Sequence, residues 1–422
     1  MRRAGEARHR GDRDNGVTKD PDDRLGERSN DALANAAPGG GAGRRICFVL
    51  ESLEVGGAET HAVSLGESLR RSGWHVLFAV MREGGALAGR CREAGIEVRD
   101  GLMPTRRGFQ VVRRLGAVAA QRPLNTLFVV ECFYLSALLA YRKVKRATGA
   151  RAYAIIHNWP SRREFSHSWL RPLRVGLMNR LFNRIIFIAE GQREHYEKRL
   201  GIRFASTEVI ASGIDVERFA PASPEHDPAR RERGVRCLRV GLIGSLQPRK
   251  GHEYFLQAAT EILGRRKNVE FLIVGDGPRR AELRGLAHDL GIDGHVHFLG
   301  VRSDLPDLLR TLDVLVLASY EAGGGHAETL PLVLLEAGAT ALPVVATRVG
   351  AVEDIVVDER TGFLVPPRDW QALAERITRL LDDPDLRREM GTIARERIFA
   401  KFNARRMFSR FERCFRGAEG GL

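Results

Sequence analysis

Val240-Gly241-Leu242-Ile243-Gly244-Ser245-Leu246-Gln247-Pro248-Arg249-Lys250-Gly251 reads as a buried strand, a glycine turn and a cation at the start of a helix. Outward from this stretch, short apolar runs of strand length alternate with segments of helical periodicity. Downstream, strands are expected near 238–243, 269–274, 295–299, 313–317 and 343–346, with amphipathic closing helices at 373–381 and 385–399. Upstream, Arg45-Ile46-Cys47-Phe48-Val49-Leu50 opens a matching series of strands at 45–50, 74–80, 96–99, 125–130, 151–156, 184–188 and 207–210. Helical segments such as 58–71 and 132–146 lie between them. Such strict alternation implies parallel sheets covered on both faces: an α/β chain with two Rossmann-like domains facing a central cleft. A ligand is then expected at the carboxyl ends of the strands.

The boundaries follow from composition. Residues 1–44 lack periodicity and end in Pro38-Gly39-Gly40-Gly41-Ala42-Gly43, too little apolar surface to fold, so a disordered tail is expected. Residues 45–220 form the first domain, 221–235, rich in Pro and charge, a linker, and 236–398 the second domain. A basic, aromatic-bearing helix and tail occupy 399–422.

Of the 422 residues, 67 are Lys or Arg and 53 Asp or Glu, for a net charge of +14. Residues 101–200 alone hold nineteen basic and five acidic side chains, an excess equal to that of the whole chain. This local field suits anionic partners such as phosphoryl substrates or acidic lipid head groups. The signatures of nucleic-acid modules are missing, so no nucleic acid is expected. Charge-free stretches reach only about a dozen residues, as at 337–347, short of the roughly 18 to 20 of a spanning helix. The opening Met-Arg-Arg leads into mixed charges rather than an apolar signal segment, and the five scattered cysteines have no disulfide or zinc spacing. A cytoplasmic protein is the expectation.

The strongest chemical constellation is Glu328-Thr329-Leu330-Pro331-Leu332-Val333-Leu334-Leu335-Glu336. With a helix starting near Pro331, one carboxylate precedes it and the other falls on its second turn, with free N–H groups between them as an anion pocket. Glu336 interrupts the apolar run 330–337, where an unpaired carboxylate is costly. A cation such as Lys250 is unfavourable at a helix N-terminus, which points to an anion that neutralises it. Gly275-Asp276-Gly277-Pro278 either holds a nucleobase edge through its backbone or is only a tight turn. In the first half, Gly56-Gly57-Ala58-Glu59 opens the first helix and allows close approach of a phosphate or sugar, while His157-Asn158 follows a strand where a ligand in the cleft is within reach.

Gly56 to Glu59, Gly244 to Gly251, Val274 to Pro278, Glu328 to Glu336 and Pro343-Val344-Val345-Ala346-Thr347, taken in order over about 46–400, resemble glycosyltransferase family 4, whose members are retaining GT-B enzymes that use nucleotide sugars. The resemblance implies that Lys250 contacts the donor diphosphate and Glu336 the ribose hydroxyls. It implies catalytic places for Glu328 and His157 beside the transferred sugar, with Leu330, Pro331 and Leu332 binding sugar hydroxyls and phosphate. It further implies that Gly57 approaches the phosphate from the opposite domain and that base identity rests on backbone near Gly277 and Val301. Lys250 and a helix terminus can stabilise the leaving diphosphate, so neither a metal nor a cofactor is expected.

Three positions depart from the family pattern. Ser245 stands where many members place an arginine beside the diphosphate, Thr329 replaces a usual glycine, and residues 322–327 read as an insertion that leaves Glu321 as a rival for Glu328. The function implied is a hexosyltransferase that moves a sugar from a UDP- or GDP-linked donor to a glycan or polyprenyl-linked acceptor in cell-surface or exopolysaccharide biosynthesis, peripheral at an anionic inner membrane surface. The alternative is a catalytically weakened scaffold that still binds nucleotide sugar.

Overall fold

The first strand, β1 (Arg45–Leu50), is buried along most of its length because both faces of its sheet are covered. It lies in a seven-stranded parallel sheet with β2 (His75–Val80), β3 (Glu97–Arg99), β4 (Thr126–Val130), β5 (Arg151–Ile156), β6 (Arg184–Phe187) and β7 (Thr207–Val209), in the order β3-β2-β1-β4-β5-β6-β7. The second sheet, also parallel, repeats the plan with six strands: β8 (Leu238–Ile243), β9 (Val269–Val274), β10 (Val296–Gly300), β11 (Val314–Leu317), β12 (Val344–Thr347) and β13 (Gly362–Val365), in the order β10-β9-β8-β11-β12-β13. Strand order reverses between β1 and β4 and between β8 and β11, so each half carries a switch-point crevice at its strand ends. This is the α/β architecture of two parallel, Rossmann-like sheets expected from the alternation. The computed structural model describes residues 43–54, 56–103, 110–121, 124–159, 171–221, 237–321 and 328–416. The tail 1–42, nearly all of the expected linker and the segment 322–327 lie outside the described residues.

Alternate residues of β1 face two different cores. Ile46, Phe48 and Leu50 join one apolar cluster, while Cys47 and Val49 join another under the helices Gln110–Gln121, Leu135–Thr148 and Arg171–Leu181. The first cluster continues through Ile210, Ile214 and Phe219 into Leu335, Val344 and Ala346 of the second half.

Two features were not expected from the sequence. Strand β13 was missed because Gly-Phe-Leu-Val, followed by two prolines, looks like a turn. Its Gly362 carries a φ of +156°, and a Cβ there would lie 2.4 Å from the Val344 carbonyl oxygen. The last helix, Ala404–Arg416, returns to the first half: Phe415 packs on Phe128 and Tyr153, and the Tyr153 hydroxyl donates to the Cys414 carbonyl at 2.7 Å.

Candidate functional site

Both switch-point crevices open into one cleft of about 1420 Å³. From the first half it is lined by Gly57, His61 and His157, and from the second by Gly244, Arg249, Lys250, Glu328, Thr329, Leu330, Pro331, Leu332 and Glu336. Most of the residues singled out in the sequence therefore share one space. Ser245, Gly277 and Val301 do not line it: Ser245 and Gly277 are half-buried beside the β8 exit, and Val301 is 80% exposed.

Lys250 reaches the cleft by a route different from the expected helix start. Pro248–Lys250 forms a short 3-10 turn, Gly251 takes φ +66°, and the helix His252–Arg265 begins only after it. A Cβ on Gly251 would stand 2.0 Å from the Ala318 carbonyl oxygen, so glycine is what lets this turn press against the exit of β11. The anion that neutralises Lys250 is part of the chain. Lys250 Nζ lies 2.5 Å from Glu328 Oε1, which also accepts from the Ser319 hydroxyl at 2.8 Å. Burial pushes the Glu328 carboxyl up, but Lys250, Ser319 and Arg249 together outweigh it and hold the group below the ordinary carboxylate range. Arg249, with Nη1 4.0 Å from the same oxygen, is the second cation here, rather than the position held by Ser245.

Glu328 is fixed from behind as well. Its carbonyl accepts from the Ala351 N–H at 3.0 Å, and Gly350, at φ +57°, passes so close that a Cβ would overlap this carbonyl. The rival Glu321 is exposed and does not line the cleft.

The helix Leu332–Ala339 is capped by the extended Pro331, and the N–H groups of Leu332 and Val333 in its first turn have no intrahelical acceptor. One carboxylate precedes this helix and the other, Glu336, sits on its second turn, the arrangement the spacing implied. Burial pushes the Glu336 carboxyl up to about 7, with Arg218 across the cleft drawing it partly back. Gly277 is explained by packing: a Cβ would meet the Leu246 backbone at 2.7 Å, so the tight-turn reading of 275–278 accounts for it.

On the opposite wall, His157 Nε2 and His61 Nδ1 lie 2.6 Å apart, and His61 Nε2 is 3.2 Å from the Met407 sulfur. Burial holds both imidazoles down, His61 to about 4 and His157 well below the ordinary value, with His61 adding to the effect on His157. Glu131, at the exit of β4 with φ +60°, accepts from the backbone N–H groups of His157 and Asn158 and so fixes the β5 exit loop. Sequence reasoning missed His61, Glu131, Ser319 and Met407. The location of Glu131 and Ser319 just past β4 and β11, beside the two switch points, was the available signal for them. Among the described residues, no group of three or more His, Cys, Asp or Glu side chains is arranged to hold a metal ion, and no helix is long and apolar enough to cross a membrane.

Residues 238–397 match the family described as Glycosyl transferases group 1, and residues 55–218 match Glycosyltransferase Family 4. Among curated proteins, a GDP-mannose-dependent monoacylated alpha-(1-6)-phosphatidylinositol monomannoside mannosyltransferase of Corynebacterium glutamicum is 35% identical over 203 residues, 46% of this chain and 52% of that protein. A UDP-Gal:alpha-D-GlcNAc-diphosphoundecaprenol alpha-1,3-galactosyltransferase of Escherichia coli is 30% identical over 225 residues, 52% of this chain and 56% of that protein. The chain thus spans about half the length of the curated relatives it matches. Among solved structures, Anabaena Alr3699/HepE in complex with UDP superposes with a TM-score of 0.74 at 22% identity, covering 88% of this chain and 99% of that one. The two family matches run in order across both sheets, with the cleft between them, and the chain belongs to glycosyltransferase family 4.

Proposed function

We propose that this chain is a retaining, metal-independent hexosyltransferase that takes its sugar from a UDP- or GDP-linked donor. The observation that carries the reading is the Lys250–Glu328 pair beside the open N-terminus of the helix Leu332–Ala339, facing Gly57 and His157 across one cleft. A departing nucleoside diphosphate gains negative charge, and Lys250, Arg249 and the unbonded N–H groups of Leu332 and Val333 are the groups that would stabilise it. Glu336, poised near neutrality, suits the ribose hydroxyls. Glu328 and His157 are assigned to the transferred sugar, whose acceptor hydroxyl would attack from the face the diphosphate leaves, with a phosphate oxygen assisting proton removal.

The acceptor proposed is a glycan or a lipid-linked intermediate, since the curated relatives act on a phosphatidylinositol mannoside and on a diphosphoundecaprenol-linked sugar. Attachment to the cytoplasmic face of a membrane is proposed from the basic first half. There Arg142, Lys143 and Arg146 emerge exposed from the helix Leu135–Thr148, and the neighbouring helix Arg171–Leu181 carries Leu173, 57% exposed, beside Arg171.

A thermal-shift screen against UDP, GDP, ADP and their sugar conjugates tests the donor. Ligand at a hundred times its Kd should stabilise the fold by about 2.7 kcal/mol. Transfer in the presence of EDTA, with retention at the anomeric carbon, is the expected second result. Nucleotide binding without sugar turnover on any acceptor would instead favour a scaffold role.

A further inference from the structure

A second cavity, of about 480 Å³, lies beside the cleft and shares with it only Ile188, Leu330 and Met407. Its walls come from both halves: residues 188–190 and 209–211 at the ends of β6 and β7, residues 353–354, and the last turns of the helix Pro384–Lys401, with Arg406 and Arg410 of the helix Ala404–Arg416 closing it. Four cations converge here. Arg397 and Lys401 stand four residues apart on one helix, and Arg406 and Arg410 four apart on the next, so each pair shares a helix face. The chain does not neutralise them. Half-buried Arg397 donates from Nε to the Ile355 carbonyl at 2.8 Å and from Nη2 to the Asp354 carbonyl at 2.7 Å, but forms no ion pair among the described residues. Arg406 donates only to the Ala400 carbonyl, and Lys401 is exposed with no partner among the described residues. Arg410 meets Glu208 at 3.2 Å, yet that carboxylate is also held by Arg184 at 2.7 Å. Of the acidic residues lining the cavity, Glu190 pairs with Arg193 and Glu353 with Arg348, neither of which lines it. Asp354 remains, and its Oδ2 accepts from the Gly191 N–H at 3.1 Å.

A carbonyl satisfies an N–H group but does not cancel a full charge, and a guanidinium does not shed its proton. Burial draws the Arg397 guanidinium down, with Asp354 drawing it partly back. At Lys250 the neutralising anion is part of the chain, as Glu328; here Asp354 alone faces the unpaired Arg397, Lys401 and Arg406. We propose that this cavity is a regulatory site for a small phosphorylated molecule, whose phosphate is held by Arg397, Lys401, Arg406 and Arg410. Guanidinium forks match phosphate oxygens in pairs, and an ammonium adds a point charge. The volume falls in the range of small-molecule sites, and Ile188, Val209 and Phe402 give the rest of the ligand an apolar wall. Such an occupant touches both halves of the chain, as a nucleotide sugar between Gly57 and Lys250 would, so each should favour binding of the other. The coupling rests on the proposed hexosyltransferase function; the phosphate site does not.

The test is isothermal titration of the full chain with inorganic phosphate and, in parallel, with glycerol 3-phosphate. Both should bind, and the second more tightly if the apolar wall is used; equal affinities would identify free phosphate as the ligand. Lys401→Gln combined with Arg406→Gln, both exposed and outside the cleft, should weaken binding at least tenfold, the worth of a charged hydrogen bond. Lys401→Arg alone should retain it. Lys250→Met combined with Glu328→Gln, which alters the cleft and leaves the second cavity intact, should also retain it. Phosphate binding that is lost in the Lys250 and Glu328 variant but unchanged in the Lys401 and Arg406 variant would place the anion in the cleft and overturn the site, as would no binding of either probe. The coupling is read from UDP and GDP affinity with and without saturating glycerol 3-phosphate. An increase of about fivefold in wild type, absent in the Lys401 and Arg406 variant, is expected. Unchanged nucleotide affinity would overturn the regulatory role. Absence of nucleotide binding in every protein would count against the transferase reading and leave the phosphate titrations to decide the site.

Discussion

Lys250 and Glu328, 78 positions apart in the chain, meet at 2.5 Å in a largely buried corner of the cleft. Removing one member leaves the other charge buried and unpaired. Lys250→Ala should therefore lose roughly 3 kcal/mol of stability, whereas Lys250→Met combined with Glu328→Gln should recover most of it. Urea denaturation of the three proteins measures this. Neither variant should transfer sugar, and diphosphate affinity should fall further with Lys250 replaced than with Glu328→Gln alone. Equal midpoints for Lys250→Ala and wild type would show that the pair carries no buried charge.

Glu336 makes the pH dependence of stability specific. Its carboxyl is raised by burial from 4.5 to about 7, so the folded chain holds this proton more tightly than the unfolded chain. The contribution is fully present below 4.5 and is lost as pH rises through about 7. Glu336→Gln should flatten that part of the stability curve. If the ionised carboxylate receives the ribose hydroxyls, nucleotide affinity should increase from pH 6 to pH 8 in wild type only, as isothermal titration can determine.

Gly251 ties the cleft to the second sheet. At φ +66° and with the Ala318 carbonyl oxygen 2.0 Å from where a Cβ would sit, Gly251→Ala should cost about 1 to 3 kcal/mol. It should also displace Lys250 and weaken nucleotide binding. Thermal unfolding with and without nucleotide separates the two effects.

The basic helix faces of the first half predict a salt-sensitive attachment. Arg142→Gln, Lys143→Gln and Arg146→Gln together should remove about 1 kcal/mol each of attraction to anionic vesicles, a loss near a hundredfold in partitioning. Co-sedimentation with phosphatidylglycerol-rich vesicles reads this directly. Turnover on a soluble acceptor should be retained.

Much of this architecture is written locally. Strands 45–50, 151–156, 238–243 and 269–274 have the expected limits because each is a short, mainly apolar run of strand length. The place of Glu336 was equally legible, since a lone carboxylate in an apolar helix declares an unusual site. What was not legible depends on partners far apart in the chain: His61 meets His157 across 96 positions and Met407 across 346. No periodicity links such residues, and only closure of the two sheets and the final helix brings them together. The expectation for Lys250 failed in its details for the same reason. The anion opposite it lay in a distant loop of the chain itself.

The return of the last helix to the first half has a consequence for synthesis. Phe411 and Phe415 cover Phe128, and the Trp74 indole donates to Glu412 at 3.3 Å. During translation the first sheet can form its strands early, but the apolar stripe around Phe128 has nothing to cover it until residues 404–416 leave the ribosome. The whole second half must be made while that stripe is exposed. A chain cut before residue 404 should therefore aggregate even though every strand of both sheets is present, and residues 404–416 supplied as a separate peptide should restore its solubility.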